Sequence, residues 1–302
     1  MRQVIDSLLG WTGGAATGPE VIHVSKFIRL SGSCALKRKR SELAIVFKKR
    51  PGLVAYITCG DPDLDTSREV ALAAIRAGAE VIELGVPFSD PVADGPVIQR
   101  ASARALEHGT NLSGVLAMAK QVREQSRAGL IIFSYLNPVL QFGLEKFCAA
   151  AAEAGVDGAL ITDLPVEEAG DYLKAMKAHK LATVFLAAPT STEQRLRDVG
   201  KHSRGFVYAI SRTGITGTRQ ELASDARSLV ERLRAYTKLP IAVGFGVSTP
   251  EQFAEVGTFA DAAVVGSAIV QTIEQNTGRE AMAVSEFLSS LTGEVVPARA
   301  GN

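Results

Sequence analysis

The 302 residues could make one large domain or two ordinary ones, and 46% hydrophobic with 22% charged residues supplies a sizeable globular core. A net charge of +1 gives no electrostatic footprint for nucleic acid or a membrane surface, and no apolar run approaches the roughly 18 residues of a membrane span. Cys34, Cys59 and Cys148 are widely spaced and form neither a C-x-x-C nor a disulfide framework, which fits a reducing cytoplasm; His23, His108, His179 and His202 neighbour no carboxylate at metal-ligand spacing.

Residues 1–40 differ from the rest. They hold the basic run "LKRKR", the Gly/Thr-rich "GWTGGAATGP" and only two acids, Asp6 and Glu20. The segment is expected to be a disordered tail or sequence upstream of the true start; a transit peptide can share this composition. Residues 41–302 form the second unit.

From Ser41 onward short apolar runs alternate with helix-like stretches. The expected strands are "GLVAYIT", "AEVIEL", "GLIIFSY", "DGALIT", "ATVFLA", "GFVYAI", "PIAVGF" and "DAAVVG". Between them "SREVALAAIRAG", "LSGVLAMAKQVREQ", "LEKFCAAAAEAG", "VEEAGDYLKAMKAHK", "TEQRLRDVG", "DARSLVERLRAYT", "TPEQFAEVG" and "AMAVSEFLSSL" mostly show apolar residues at i, i+3 and i+4. Near-continuous apolar strands suit a parallel sheet buried on both faces. Eight βα units over about 240 residues predict an α/β fold, a (β/α)8 TIM barrel in one domain. A doubly wound sheet would more often place a glycine-rich turn after its first strand, where this chain has "CGDPD".

In such barrels the chemistry lies where strands end. Strand 7 ends in "GFGVSTPEQ" and strand 8 in "VGSAIV", each leading into a helix; strand 6 adds "SRTGITG". Small residues beside a helix N-terminus present free amides to an anion, so Gly217, Gly246, Gly266 and Ser267 are the expected phosphate donors. Strand 2 ends at Glu83, whose burial would raise its pKa towards neutrality and let it pass a proton either way. Asp94, eleven residues on in "VADGP", could fold back over the barrel mouth, or simply make an Asx turn before Gly95. Asp61 and Asp163 also end strands, each in a setting that suits turn initiation. No lysine ends a strand and no histidine cluster appears, which disfavours Schiff-base and metal-dependent aldolase chemistry. Carboxylate proton transfer on a small phosphorylated molecule remains, with the substrate unnamed.

The stretch "ELGVPFSDPVADGPVIQRA" closely resembles the signature of the tryptophan synthase alpha chain family. The resemblance continues in order through "YITCGDPD", "YLNPV", "ITDLPVEE", "YAISRTGITG", "GFGVSTPEQ" and "VVGSAIV", covering roughly Ser41 to Leu291. It implies retro-aldol cleavage of indole-3-glycerol phosphate to indole and glyceraldehyde 3-phosphate. Glu83 matches the family's general acid/base, and Asp94 the carboxylate that holds the indole N–H. Tyr208 matches a tyrosine near the reacting centre, and Thr216 a loop residue that closes onto Asp94. Tyr56, Ile98, Phe133 and Leu160 match positions lining the indole pocket, with Tyr56 and Phe133 departing from the commoner Phe and Leu. The long loop after strand 2 would be a lid carrying Asp94.

The resemblance further implies a beta-chain partner in an α2β2 heterotetramer, which receives the indole and holds the pyridoxal phosphate; this chain itself holds no cofactor. Pro87 and Asp90 are candidate interface residues. Two other readings compete: a catalytically silent phosphate-binding barrel that activates a beta-type partner, and another phosphosugar epimerase or isomerase. The latter would need a second acid/base or a metal.

Overall fold

All the apolar runs read as strands pair in parallel, and the two ends of the sheet meet. The computed structural model describes residues 47–210 and 219–293, with side chains in the second range described from Ala223 onward. The expected extension 1–40 lies outside the described residues, as do Thr216 and Gly217. In chain order the strands are β1 (Gly52–Thr58), β2 (Val81–Gly85), β3 (Gly129–Ser134), β4 (Gly158–Ile161), β5 (Ala182–Val184), β6 (Leu186–Ala187), β7 (Val207–Ile210), β8 (Ile241–Gly244) and β9 (Ala262–Val265). Their order in the sheet is β5-β4-β3-β2-β1-β9-β8-β7-β6. β5 bonds to β4 and β6 to β7, while the Tyr208 amide donates to the Phe185 carbonyl at 3.1 Å. β5 and β6 are thus one stave interrupted at Phe185. The ninth strand is a consequence of that break, and the sheet closes as the expected barrel.

The period of two sorts the strand residues into two cores. Val54, Val81, Ile131, Leu160, Val184 and Phe206 fill the barrel interior. Their chain neighbours, among them Leu53, Ala55, Ile82, Leu130 and Ile132, pack outward against the helices. Phe47 closes the lower end, its ring edge-on to Phe206 at 5.9 Å between centroids. Two residues further up each strand from Val54, Val81, Ile131 and Phe206 come Tyr56, Glu83, Phe133 and Tyr208. Alternation therefore puts all four on the interior face, near the C-terminal end.

Inward space at that level comes from glycine. A Cβ on Gly85 would run into the Tyr56 phenol, and one on Gly244 into the Tyr208 phenol. The two tyrosine rings occupy room that only the missing side chains leave.

The helices are α1 (Leu64–Arg76), α2 (Pro96–Glu107), α3 (Leu112–Gln125), α4 (Leu136–Phe142), α5 (Leu144–Glu153), α6 (Gly170–Ala178), α7 (Glu193–His202), α8 (Arg219–Arg234), α9 (Pro250–Gly257), α10 (Ser267–Gln275) and α11 (Glu280–Thr292). Side-chain caps start several of them: Asp63 accepts from the Thr66 amide, Asn111 from Gly114 and Thr192 from Arg195.

Two expectations need correction. Glu83 does not end its strand; Leu84 and Gly85 follow it in β2. The stretch after it is not one long loop either. The loop covers 86–95, and Pro96 then opens α2. Proline at the first helical position loses no intrahelical bond and presets φ, so here it marks a helix start. Together α2, α4 and α10 are the helices absent from the expected set. α2 and α10 bring their first turns to the barrel mouth.

Candidate functional site

A cavity of about 410 Å³ opens at the C-terminal end of the barrel. Glu83 stands at its base, fully buried, with Tyr56 and Ile131 as its register partners on the neighbouring strands. Neither carboxyl oxygen meets a hydrogen-bond partner among the described residues. Removal from water penalises the charged form, and burial pushes its pKa up to about 8. At neutral pH this side chain is a protonated acid beneath an open cavity.

Aromatic and aliphatic groups form the walls. Tyr56 and Phe133 meet edge to face, 5.1 Å between centroids and 75° between planes. Tyr208, Val264, and Val97 with Ile98 from the first turn of α2 complete the lining. Burial, before any charge effect, holds the Tyr56 and Tyr208 phenols well above their usual pKa, so both stay neutral donors. Leu160 is placed differently from the expectation. It is fully buried with Val54 and Ile131 in the barrel interior and does not line the cavity.

One rim is backbone. Gly244, Gly246, Gly266 and Ser267 lie together there, from the ends of β8 and β9. The two helices that follow are not equivalent anion sites. At α9, Gln252 Oε1 accepts from the amides of Ser248 and Thr249 at 2.8 and 3.2 Å, and Thr249 Oγ1 accepts from Gln252 in a reciprocal capping box. Pro250 also removes a donor. Those amides are already engaged. α10 has no side-chain cap, and its first turn begins at Ser267 on the cavity rim. The amides at the start of a helix have no intrahelical acceptor and carry the positive end of its dipole. The available donors are therefore those at Gly246 and at the start of α10.

Gly95 and Pro96, at the start of α2, form another part of the rim. Asp94 precedes them, half-buried. Its Oδ2 accepts from the Tyr135 hydroxyl at 3.1 Å, and the same hydroxyl accepts from the Ala93 amide at 2.9 Å. The Tyr135 ring also packs on Phe88 at 5.0 Å. One tyrosine at the end of β3 thus grips the loop three times. Burial raises the Asp94 pKa to about 6 against the lowering effect of the Tyr135 bond. Removing that bond with Tyr135→Phe is expected to move the Asp94 pKa above about 6, read by carboxyl NMR titration; an unmoved value would show that the hydroxyl does not hold the carboxylate.

The structure brings Glu83, Tyr56, Ile98, Phe133, Tyr208, Gly246, Gly266 and Ser267 to one cavity. Asp94 sits one residue from its rim. Sequence reasoning missed Tyr135, although "YLNPV" was in view, because nothing local shows what a strand-end tyrosine reaches. It also missed Val97 and Val264, which α2 and the strand alternation supply. Asp163 accepts from the Leu136 amide at 2.7 Å, a long-range bond that ties the end of β4 to the first residue of α4. Pro87 is buried within the chain and so offers no surface to a partner, while Asp90 is exposed and Val92 is 87% exposed. Among the described residues no cluster of His, Cys, Asp and Glu could hold a metal ion, and no helix is long and apolar enough to cross a membrane.

Residues 44–295 match the family model described as "Tryptophan synthase alpha chain". A relative of the same description from Solibacter usitatus is 53% identical over 248 residues, 82% of this chain and 92% of its own. The crystal structure of tryptophan synthase subunit alpha from Legionella pneumophila superposes with a TM-score of 0.76 at 35% identity, covering 84% of this chain and 96% of that one. A chain of a tryptophan synthase complex from Pyrococcus furiosus gives a TM-score of 0.74 at 35% identity, over 81% of this chain and 99% of that one. With most of its length matched by the family model and by these relatives, the chain belongs to the tryptophan synthase alpha chain family.

Proposed function

We propose that this chain is a carbon–carbon lyase that cleaves indole-3-glycerol phosphate to indole and glyceraldehyde 3-phosphate. The observation that carries the reading is the Glu83 carboxyl, buried, without a partner among the described residues and protonated at neutral pH, in one cavity with a glycine-lined amide rim. The phosphate rests on the amides at Gly246 and at the start of α10, with those of Gly217 as a further donor. The indole ring lies between the Tyr56–Phe133 pair and Ile98, with Leu160 packed beside Phe133 to support that wall.

Glu83 donates its proton to indole C3. The ring becomes an iminium with positive charge on its nitrogen, and the exocyclic carbon–carbon bond is weakened. The electrons of that bond return to the ring as it breaks. The glycerol hydroxyl loses its proton to the Glu83 carboxylate and becomes the aldehyde carbonyl. The proton count closes, since Glu83 regains what it gave. Asp94, with a pKa near 6, is an anion when Glu83 is still an acid. Two carboxyls with separated pKa values take separate roles, and Asp94 stabilises the charge on the ring N–H. Tyr208 donates a hydrogen bond near the reacting carbon, and Thr216 meets Asp94 when the loops close.

Indole passes to a beta-chain partner in an α2β2 assembly, which supplies the pyridoxal phosphate; the pair works in the cytoplasm. The exposed loop with Asp90 and Val92, beside a groove of about 550 Å³, supports that docking. The test is indole release from purified chain given indole-3-glycerol phosphate, with and without a beta partner. Asp94→Asn should fold and bind substrate but lose about 100-fold or more in kcat, as for other positioned charge stabilisers. Rates within a few-fold of wild type would remove Asp94 from the reaction. Substrate binding without any cleavage would favour the silent activating barrel instead.

A further inference from the structure

Asp61, in the "CGDPD" turn after β1, is buried to 3% exposure, and cleavage chemistry gives it no task. Its carboxylate accepts a two-pronged bond from Arg104 of α2, Nε to Oδ1 and Nη2 to Oδ2, both 2.8 Å. Arg104 has one more arm. Nη1 donates to Glu274 Oε1 of α10 at 2.8 Å, and Arg100 of α2 reaches the same carboxylate with Nε at 3.0 Å and Nη2 at 2.8 Å. One cluster therefore ties the β1 turn, α2 and α10 together.

Those two helices carry the two halves of the cavity. The first turn of α2 supplies Ile98, and the first residue of α10 is Ser267. Arg104 lies six residues beyond Ile98, and Glu274 seven beyond Ser267. At 1.5 Å per residue each contact sits about 10 Å down its helix from the cavity. The helices also pack directly, Ala101 and Val270 meeting against Tyr56. Fixing the far ends of two packed helices fixes the separation of their near ends.

We infer that Asp61, Arg104, Glu274 and Arg100 form a clasp that sets the distance between the apolar wall and the anion rim, making Glu274 a positioning residue for a ligand that spans both. The inference rests on the cavity's assignment to an indole carrying a phosphorylated side chain. A fork of guanidinium donors on carboxylates holds geometry better than a point charge, which suits this task. The clasp touches neither half of the ligand. It acts only on their simultaneous fit, where each half, once bound, offers the other its effective concentration.

Glu274→Ala is the informative variant, because it frees α10 while leaving buried Asp61 paired with Arg104. Binding is measured by calorimetry for indole, for glycerol 3-phosphate and for 3-indolylpropyl phosphate, which joins the two. Expected are two-fold changes or less for the separate halves and about tenfold weaker binding of the joined ligand. Glu274→Gln, whose single carbonyl oxygen can keep the two bonds to Oε1 but neither the one from Arg100 Nη2 nor the charge, should fall between. Equal weakening of all three ligands would mean general loosening, and an unchanged joined ligand would mean no positioning; either overturns the clasp. Failure of the wild-type chain to bind the joined ligand would instead overturn the reading of the cavity, and this inference with it.

Discussion

Glu83→Gln is expected to lower kcat for indole release by about 10³–10⁴-fold, the upper range for general acid–base catalysis, because one residue serves both proton transfers. KM should stay within about three-fold. The amide has nearly the carboxyl's shape, and the proposed phosphate anchor is backbone that the substitution does not touch. Without an acid, C3 cannot be protonated, and indole is too poor a carbon leaving group to depart as an anion. Stopped-flow detection of indole with saturating substrate separates this from a binding defect. Turnover near the wild-type rate would show that another donor serves the ring, and the mechanism would have to be rebuilt around it.

The second large effect is on stability, and its sign follows from the same residue. The folded-state pKa of Glu83 is about 8, against an ordinary value of 4.5. Between those values the folded chain holds a proton that the unfolded chain has released. Folding then takes up a proton, so this contribution weakens stability as pH rises from about 4.5 to about 8. Each unit is worth about 1.4 kcal/mol, so urea unfolding at pH 5 and pH 8 should differ by roughly 3–4 kcal/mol more in the wild type than in Glu83→Gln. Any cost of burying the unpaired amide is the same at both pH values and cancels in that comparison. Parallel pH dependence of the two proteins would mean that Glu83 titrates normally and is no acid at neutral pH. The catalytic and the stability experiment thus interrogate one proton from two sides.

The barrel was legible in the sequence because its strands are buried on both faces and so read as unbroken apolar runs. Glu83, Gly246 and Gly266 were legible for a related reason: a carboxyl inside such a run, or a glycine just past its end, has no packing explanation. The break at Phe185 was not visible, since the apolar run passes through it and the interruption lies in hydrogen bonding. α2 was hidden by Pro96, which reads as a loop residue until its place at a helix start is known. The contrast between α9 and α10 depends on whether Gln252 turns back over its own helix, which spacing permits and only coordinates decide. Leu160 matched a pocket position by resemblance, yet packing sets it among the interior side chains, beside Phe133 in the ladder but off the cavity wall. The Asp61–Arg104–Glu274 cluster joins residues far apart in the chain, and no local pattern announces it.

The amide rim has a consequence for how such proteins diverge. The proposed grip by main-chain nitrogens has no functional group for mutation to remove, so most exchanges at Ser267 are expected to leave it intact. Proline there would delete a donor, and a side chain at Gly246, whose φ is +84°, would force the turn to move. If the rim holds the substrate's phosphate as proposed, exchanges at Ser267 are tolerated while Gly246 is not, which makes backbone shape, rather than letter-by-letter agreement, the better guide to whether a distant cousin retains the site.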